Sequence, residues 1–176
     1  MRVIGLAGWS GAGKTTLLTR LIPELGRRGL SVSTLKHAHH AFDLDMPGKD
    51  SYAHREAGAR EVLISSERRW ALMHELRDES EASLYALLTR LSPVDLVIIE
   101  GFKREPHPKI EVYRHGNGKP ALHPRDPAIV AIASDIAFPE AARPVVDLDD
   151  ILGIADIALQ AAEPLATVLA RQKQAG

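Results

Sequence analysis

The apolar positions of this chain change period several times, and each change marks an element. Val3-Ile4-Gly5-Leu6-Ala7 is a short unbroken apolar run, the pattern of a strand buried on both faces. After the glycines that follow, Leu17, Leu18, Leu21, Ile22 and Leu25 recur at helical spacing. They predict a helix over Lys14–Arg28 with Gly29 as its C-terminal cap. Pro23 within it has no N–H to donate and predicts a kink, at about 3 kcal/mol if nothing compensates. Leu30–Leu35 reads as a second strand, so the opening predicts a βαβ unit with a right-handed crossover.

Lys36–Asp50 has no apolar period, is rich in His and Asp, holds Pro47-Gly48, and reads as a loop. A short helix is expected over Ser51–Ala57, ended by Gly58. Two strands follow, Glu61–Ser65 and Trp70–His74, with a turn at Glu67-Arg68. Ser80 is expected to cap a helix running to Leu91, with Leu84, Leu87, Leu88 and Leu91 on its apolar face. Asp95–Gly101 is the most strand-like segment, since Leu96-Val97-Ile98-Ile99 is wholly apolar and largely β-branched. Lys109–Arg114 alternates and, with Gly116-Asn117-Gly118 behind it, predicts a hairpin that could project as far as Leu122 as a dimer contact. Ala128–Ala133 and Pro144–Val146 read as further strands. Asp149 or Asp150 caps a C-terminal helical region that Pro164 divides. With no internal repeat and no long linker, residues 1–176 are expected to form a single α/β domain around a mostly parallel sheet.

Composition narrows the class. The mix of 45% hydrophobic and 26% charged residues is that of an ordinary globular domain. A net charge of -1 gives no broad footprint for nucleic acid or an anionic membrane. The absence of cysteine excludes disulfides, thiolate metal sites and cysteine nucleophiles. No apolar run approaches the roughly 20 residues that span a bilayer, and a cytoplasmic protein is expected.

The candidate chemistry begins at Gly8-Trp9-Ser10-Gly11-Ala12-Gly13-Lys14-Thr15, which fits G-x-x-x-x-G-K-[ST]. Glycines let such a loop turn its backbone N–H groups inward around phosphate, and the following helix adds partial positive charge. Lys14 is expected to reach the β and γ phosphates and the Thr15 hydroxyl to ligate Mg²⁺. The motif sits after a strand and before a helix, where its mechanism requires it. A carboxylate near the metal is expected at the end of a buried strand. Glu100 lies at the carboxyl end of its strand and Asp95 at the other, so Glu100 is favoured, with Gly101 allowing close backbone approach.

Lys36–Asp45 forms a polar constellation with Lys49, Asp50, His54 and Arg55. Its spacing matches no closed structural zinc set, although His37, His39 and the Asp residues are legitimate ligands. Recognition of a second phosphorylated ligand, a switch loop and a solvated loop are the other readings. Asp135, just beyond a predicted strand, could accept hydrogen bonds from guanine, although no full N-K-x-D sequence is present.

These residues together resemble the molybdopterin-guanine dinucleotide biosynthesis protein B family. The resemblance is carried by Gly8–Thr16, by Lys36-His37 through Phe42-Asp43-x-Asp45-x-Pro47-Gly48-Lys49-Asp50-Ser51, and by Arg55-x-Ala57-Gly58-Ala59. Ile99-Glu100-Gly101-Phe102-Lys103 and Pro108–Arg114 add to it. It implies a three-layer P-loop fold with a β-hairpin extension, GTP and Mg²⁺ as ligands, and weak GTP hydrolysis. It also implies a homodimer and an adaptor role beside the guanylyltransferase that acts on molybdopterin. Carried onto this chain, Ser10, Gly11, Ala12, Gly13, Lys14, Thr15 and Thr16 bind phosphate and Mg²⁺, and Glu100 is the acid. His37, Asp45 and Asp50 face the nucleotide or molybdopterin, and Asp135 reads the base. The rival readings are a nickel-inserting GTPase, suggested by the His-rich loop, a small-molecule kinase using the same P-loop, and a binding module without turnover.

Overall fold

The computed structural model describes residues 1–38 and 42–175. In chain order the elements are β1 (Arg2–Ala7), α1 (Lys14–Arg27), β2 (Val32–Lys36), α2 (Asp50–Glu56), β3 (Glu61–Ser65), β4 (Trp70–His74) and α3 (Leu84–Leu88). There follow β5 (Leu96–Glu100), β6 (Lys109–Tyr113), β7 (Ile129–Ser134), β8 (Val145–Asp147), α4 (Ile151–Ala161), β9 (Glu163–Pro164) and α5 (Leu165–Ala175). They fall into two compact units, Met1–His37 with Leu84–Gly176, and Ala38–Ser83.

The larger unit is built on a sheet in the order β2-β5-β1-β6-β7-β8, and every pairing along that path is parallel. Only the two-residue β9 runs antiparallel, against Arg2 and Val3 of β1. The unbroken apolar runs follow from burial on both faces. Ile4, Leu6, Leu96 and Ile98 pack with α1 and α4 on one side, while Val3, Val97 and Ile99 pack with α3 and α5 on the other. Each such fully buried side chain contributes about 1.5–3 kcal/mol of hydrophobic stabilisation. The result is the expected α/β fold of three layers.

The predicted βαβ opening is present with one change, since β5 lies between β1 and β2 and pairs with both. The helix α1 runs unbroken through Pro23, with Leu17, Leu18, Leu21 and Leu25 buried on the sheet. That buried face offsets the one backbone hydrogen bond that proline cannot donate. Asp150 is the cap of α4, accepting from Gly153 N–H at 2.9 Å, and Pro164, in β9, lies between α4 and α5 and so divides that helical region as expected.

Two expectations fail. Lys109–Arg114 does not open a hairpin: Lys109–Tyr113 is the interior strand β6, parallel to both β1 and β7. Its polar alternation misled because its polar residues are buried and partnered. Lys109, 1% exposed, pairs with Asp126 at 2.9 Å, and Glu111 accepts from the N–H groups of Leu122 and His123. Gly116-Asn117-Gly118 belongs to a single 3-10 turn, His115–Asn117, closed by Gly118. The helix expected from Ser80 starts only at Leu84. The preceding residues are committed to the smaller unit, where Glu79 receives Arg60 at 2.6 Å and a His74 ring nitrogen lies at 3.3 Å.

The buried edge of β6 explains a glycine. A Cβ on Gly5 would lie 2.4 Å from His107 Nε2, so β1 has no side chain where the imidazole packs. Burial, reinforced by the Lys109 charge, lowers the His107 pKa to about 4 and keeps the ring neutral.

The smaller unit holds the hairpin extension, with β3 paired antiparallel to β4 from Glu61↔His74 to Ser65↔Trp70. The helix α2 has no buried residue and the two strands bury only Val62. Polar contacts tie it together. Arg55 meets Asp43 at 3.1 Å, Asp45 at 3.4 Å and Glu75 at 3.0 Å, and Arg77 donates to the carbonyls of Arg55 and Ala59.

Candidate functional site

The sheet order decides where the site forms. Because β1 lies between β5 and β6, the loop leaving its carboxyl end emerges beside the carboxyl ends of both. Gly8 makes that exit passable, since its φ is 150° and a Cβ there would meet the Val112 carbonyl at 2.5 Å. Ala12 N–H donates to Trp9 O at 3.1 Å, closing the loop, and α1 begins at Lys14.

Lys14 is half-buried, and its ammonium donates to the carbonyls of Gly8 and Trp9 at 3.0 Å each. Burial lowers its pKa, Glu100 works in the opposite direction, and Lys103 and Lys36 lower it further. Three lysines and one carboxylate thus share this end of the sheet, a field suited to a polyphosphate. Ser10, Gly11, Thr15 and Thr16 are exposed, while Ala12 is buried.

Glu100 stands at the end of β5 in register with Lys36 of β2. The chain then turns sharply. Gly101 has φ 98°, and a Cβ there would lie 2.7 Å from the Cβ of His37. Phe102 keeps φ 48°, a left-handed conformation that costs a non-glycine residue about 1–2 kcal/mol. The turn brings its ring 4.7 Å from that of His37, whose N–H donates to Glu100 O at 2.8 Å. His37 is therefore beside Glu100. Lys103 lies 5.0 Å from the centre of the Trp9 ring, joining the β5 turn to the phosphate loop.

The other flank comes from β6. Trp9 Nε1 donates to Pro120 O at 2.8 Å, and Asn117 Nδ2 donates to Ser10 O at 3.0 Å. Asp135, at the end of β7, accepts from His115 N–H at 2.8 Å and so fixes the turn that carries Asn117. Asp45 and Asp50 fall in the smaller unit. Asp45 accepts from the Ser51 hydroxyl at 2.8 Å and Asp50 opens α2. His39 lies outside the described residues. Among the described residues, no group of three or more His, Asp or Glu is placed to hold a metal ion. Nor is any helix there long and apolar enough to cross a membrane.

Several flanking residues had no assigned role in the sequence: Trp9, Lys36, Lys103, Arg114 and Asn117. The signal for three of them was positional, because Lys36, Lys103 and Arg114 sit at or just past the carboxyl ends of β2, β5 and β6. That signal becomes usable only once the strand order is known.

Comparison with known proteins follows the same line. Residues 3–135 match the model of the family MobB, molybdopterin guanine dinucleotide synthesis protein B. The molybdopterin-guanine dinucleotide biosynthesis adapter protein of Escherichia coli (strain K12) is 43% identical over 161 residues, covering 90% of this chain and 91% of that protein. The adapter protein of the same name from Haemophilus influenzae is 41% identical over 154 residues, covering 88% and 85%. A crystal structure of molybdopterin-guanine biosynthesis protein B superposes with a TM-score of 0.72 at 29% identity, covering 90% of this chain and 98% of that one. The chain belongs to the MobB family.

Proposed function

From that membership we propose that this chain is an adaptor of molybdopterin guanine dinucleotide biosynthesis that binds GTP with Mg²⁺ and hydrolyses it weakly. The observation that carries the nucleotide is the cradle Gly8–Thr16, with Lys14 half-buried inside it and subject to the Glu100 charge. A lysine held there exchanges its contacts with loop carbonyls for phosphate oxygens without a large rearrangement.

The residues present fit a magnesium ion. The Thr15 hydroxyl and the Glu100 carboxylate are hard oxygen donors beside a phosphate cradle, the donor type Mg²⁺ takes when phosphates complete its shell. The metal would neutralise phosphate charge. The chain's own part is positioning. Lys14 and the loop amides hold the phosphates, and the Gly101-Phe102 turn keeps Glu100 and His37 together. The sequence offers no dedicated base for a fast transfer, in keeping with slow turnover. Asp135 is the residue proposed to meet the guanine, and His37, Asp45 and Asp50 those proposed to serve the nucleotide or molybdopterin.

The adaptor role rests on the relatives, which carry that name over nearly their full length. Its partners on this reading are the guanylyltransferase, molybdopterin or its guanine dinucleotide, and a second copy of the chain. The exposed apolar side chains of the β3–β4 hairpin support the homodimer. A cytoplasmic setting accords with that work.

The test is a competition of GTP against ATP in calorimetry, with and without molybdopterin. Preference for GTP, altered by molybdopterin, is the expected result. Equal affinity for the two nucleotides, unmoved by molybdopterin, overturns the reading.

A further inference from the structure

We propose that Arg114 is a second phosphate-binding cation of the P-loop site, reaching the nucleotide's phosphate tail from the β6 flank. The inference rests on the nucleotide reading above and adds to it a residue outside the P-loop motif.

Topology sets the position. Ala7, the last residue of β1, is in register with Glu111 of β6, so Arg114 leaves its strand at the same end as the phosphate loop. Its guanidinium then lies against that loop. A Cβ built on Gly13 would be 3.6 Å from Arg114 Nη2 and 3.8 Å from Nε. Gly13 immediately precedes Lys14 and is the N-cap of α1, the end of a helix that favours an anion.

Arg114 is exposed, and among the described residues no carboxylate or carbonyl holds its guanidinium. Lys14 already carries the field of Lys36 and Lys103, with Glu100 acting in the opposite direction. An anionic ligand with several charges suits that field. A guanidinium suits the task because its planar fork takes two phosphate oxygens at once.

The segment behind Arg114 is fixed to the loop, which gives the side chain a defined base. Asn117 N–H donates to Arg114 O at 3.0 Å, while the Asn117 side chain donates to Ser10 O at 3.0 Å. His115 N–H is taken by Asp135, and Pro120 O by Trp9. Further along, Glu111 secures Leu122 and His123 from inside the sheet. The stretch that resembles a hairpin in sequence is thus a wall of the phosphate loop, and Arg114 is its charged end.

The experiment is calorimetric titration of the full chain with GTP, GDP and GMP in the presence of Mg²⁺, using wild type, R114A, R114K and K14A. R114A is expected to weaken GTP about 10-fold and to weaken GMP less, because the lost contact is to the phosphate tail. R114K is expected to recover part of that loss. Unchanged GTP affinity in R114A, with K14A still defective, overturns the inference and leaves the nucleotide reading standing. Equal weakening of all three nucleotides in R114A also overturns it, since that pattern belongs to a misshapen loop. If wild type binds none of the three, the nucleotide reading fails and the inference fails with it.

Discussion

The two units of this chain are stabilised by opposite means. In the larger one, the strands at the centre of the sheet are sealed: Val3, Ile4, Val97, Ile98 and Ile99 have no exposed surface. In the smaller one, Leu63 is 61% exposed and Trp70 65%, and the main ties are ion pairs around Arg55, Arg60 and His74. A sealed core holds a site in place without help. The exposed pair of Arg60 with Glu79 contributes little, because such pairs are screened and cost side-chain entropy, so the half-buried Arg55 cluster is the main tie. The larger unit is thus held by apolar burial, and the smaller one mainly by polar contacts, with apolar side chains left exposed on its hairpin.

Substitutions can test that division, and the largest effect is expected at Lys14. Lys14→Ala removes the main phosphate cation and should lower GTP affinity about 100-fold or more in calorimetry, with the thermal unfolding midpoint of the free protein little changed. Next comes the buried pair of the larger unit. Asp126→Ala leaves Lys109 as an uncompensated buried charge and should cost about 3 kcal/mol in urea unfolding. A cost near zero would mean that the ammonium reaches water without its partner.

A similar magnitude is expected from pH. The His107 pKa is depressed to about 4 in the fold, against about 6.5 when unfolded, so the unfolded chain takes up the proton first on acidification. Stability from this group is therefore complete above about pH 6.5 and is lost as pH falls toward 4, by about 3 kcal/mol in all. His107→Leu should flatten that part of the stability–pH curve. In the smaller unit Arg55→Ala should raise amide hydrogen exchange across residues 43–79 while leaving the sheet of the larger unit protected. The smallest effect on the isolated fold is expected from Trp70→Ser with Leu72→Ser, within about 0.5 kcal/mol, because both are already exposed. The same pair should shift sedimentation toward monomer. A dimer that survives it removes the hairpin from the contact.

How much of this was legible in the sequence depends on which interactions are local. β3 and β4 were bounded correctly, because alternation and a polar turn are short-range signals. The position of Glu100 at the end of β5 was legible because an acid at the end of an apolar run is visible in the run itself. β6 was misassigned because Lys109 and Glu111 look like solvent-facing positions, and their partners Asp126 and His123 stand more than ten residues away. The Ser80 cap was overtaken by the tertiary contacts of Glu79.

The chain by itself determined the glycine-rich loop with its P-loop pattern, the buried strands beside it and the family to which they belong. A P-loop is a local device whose glycines, lysine and threonine act within one turn of each other, so its chemistry is written in consecutive residues. The tertiary structure alone decided what surrounds it. The strand order sets β5 and β6 beside β1, and so brings Glu100, Lys103 and Arg114 to one end of the sheet. That order rests on burying two apolar faces at once, and no single segment carries it.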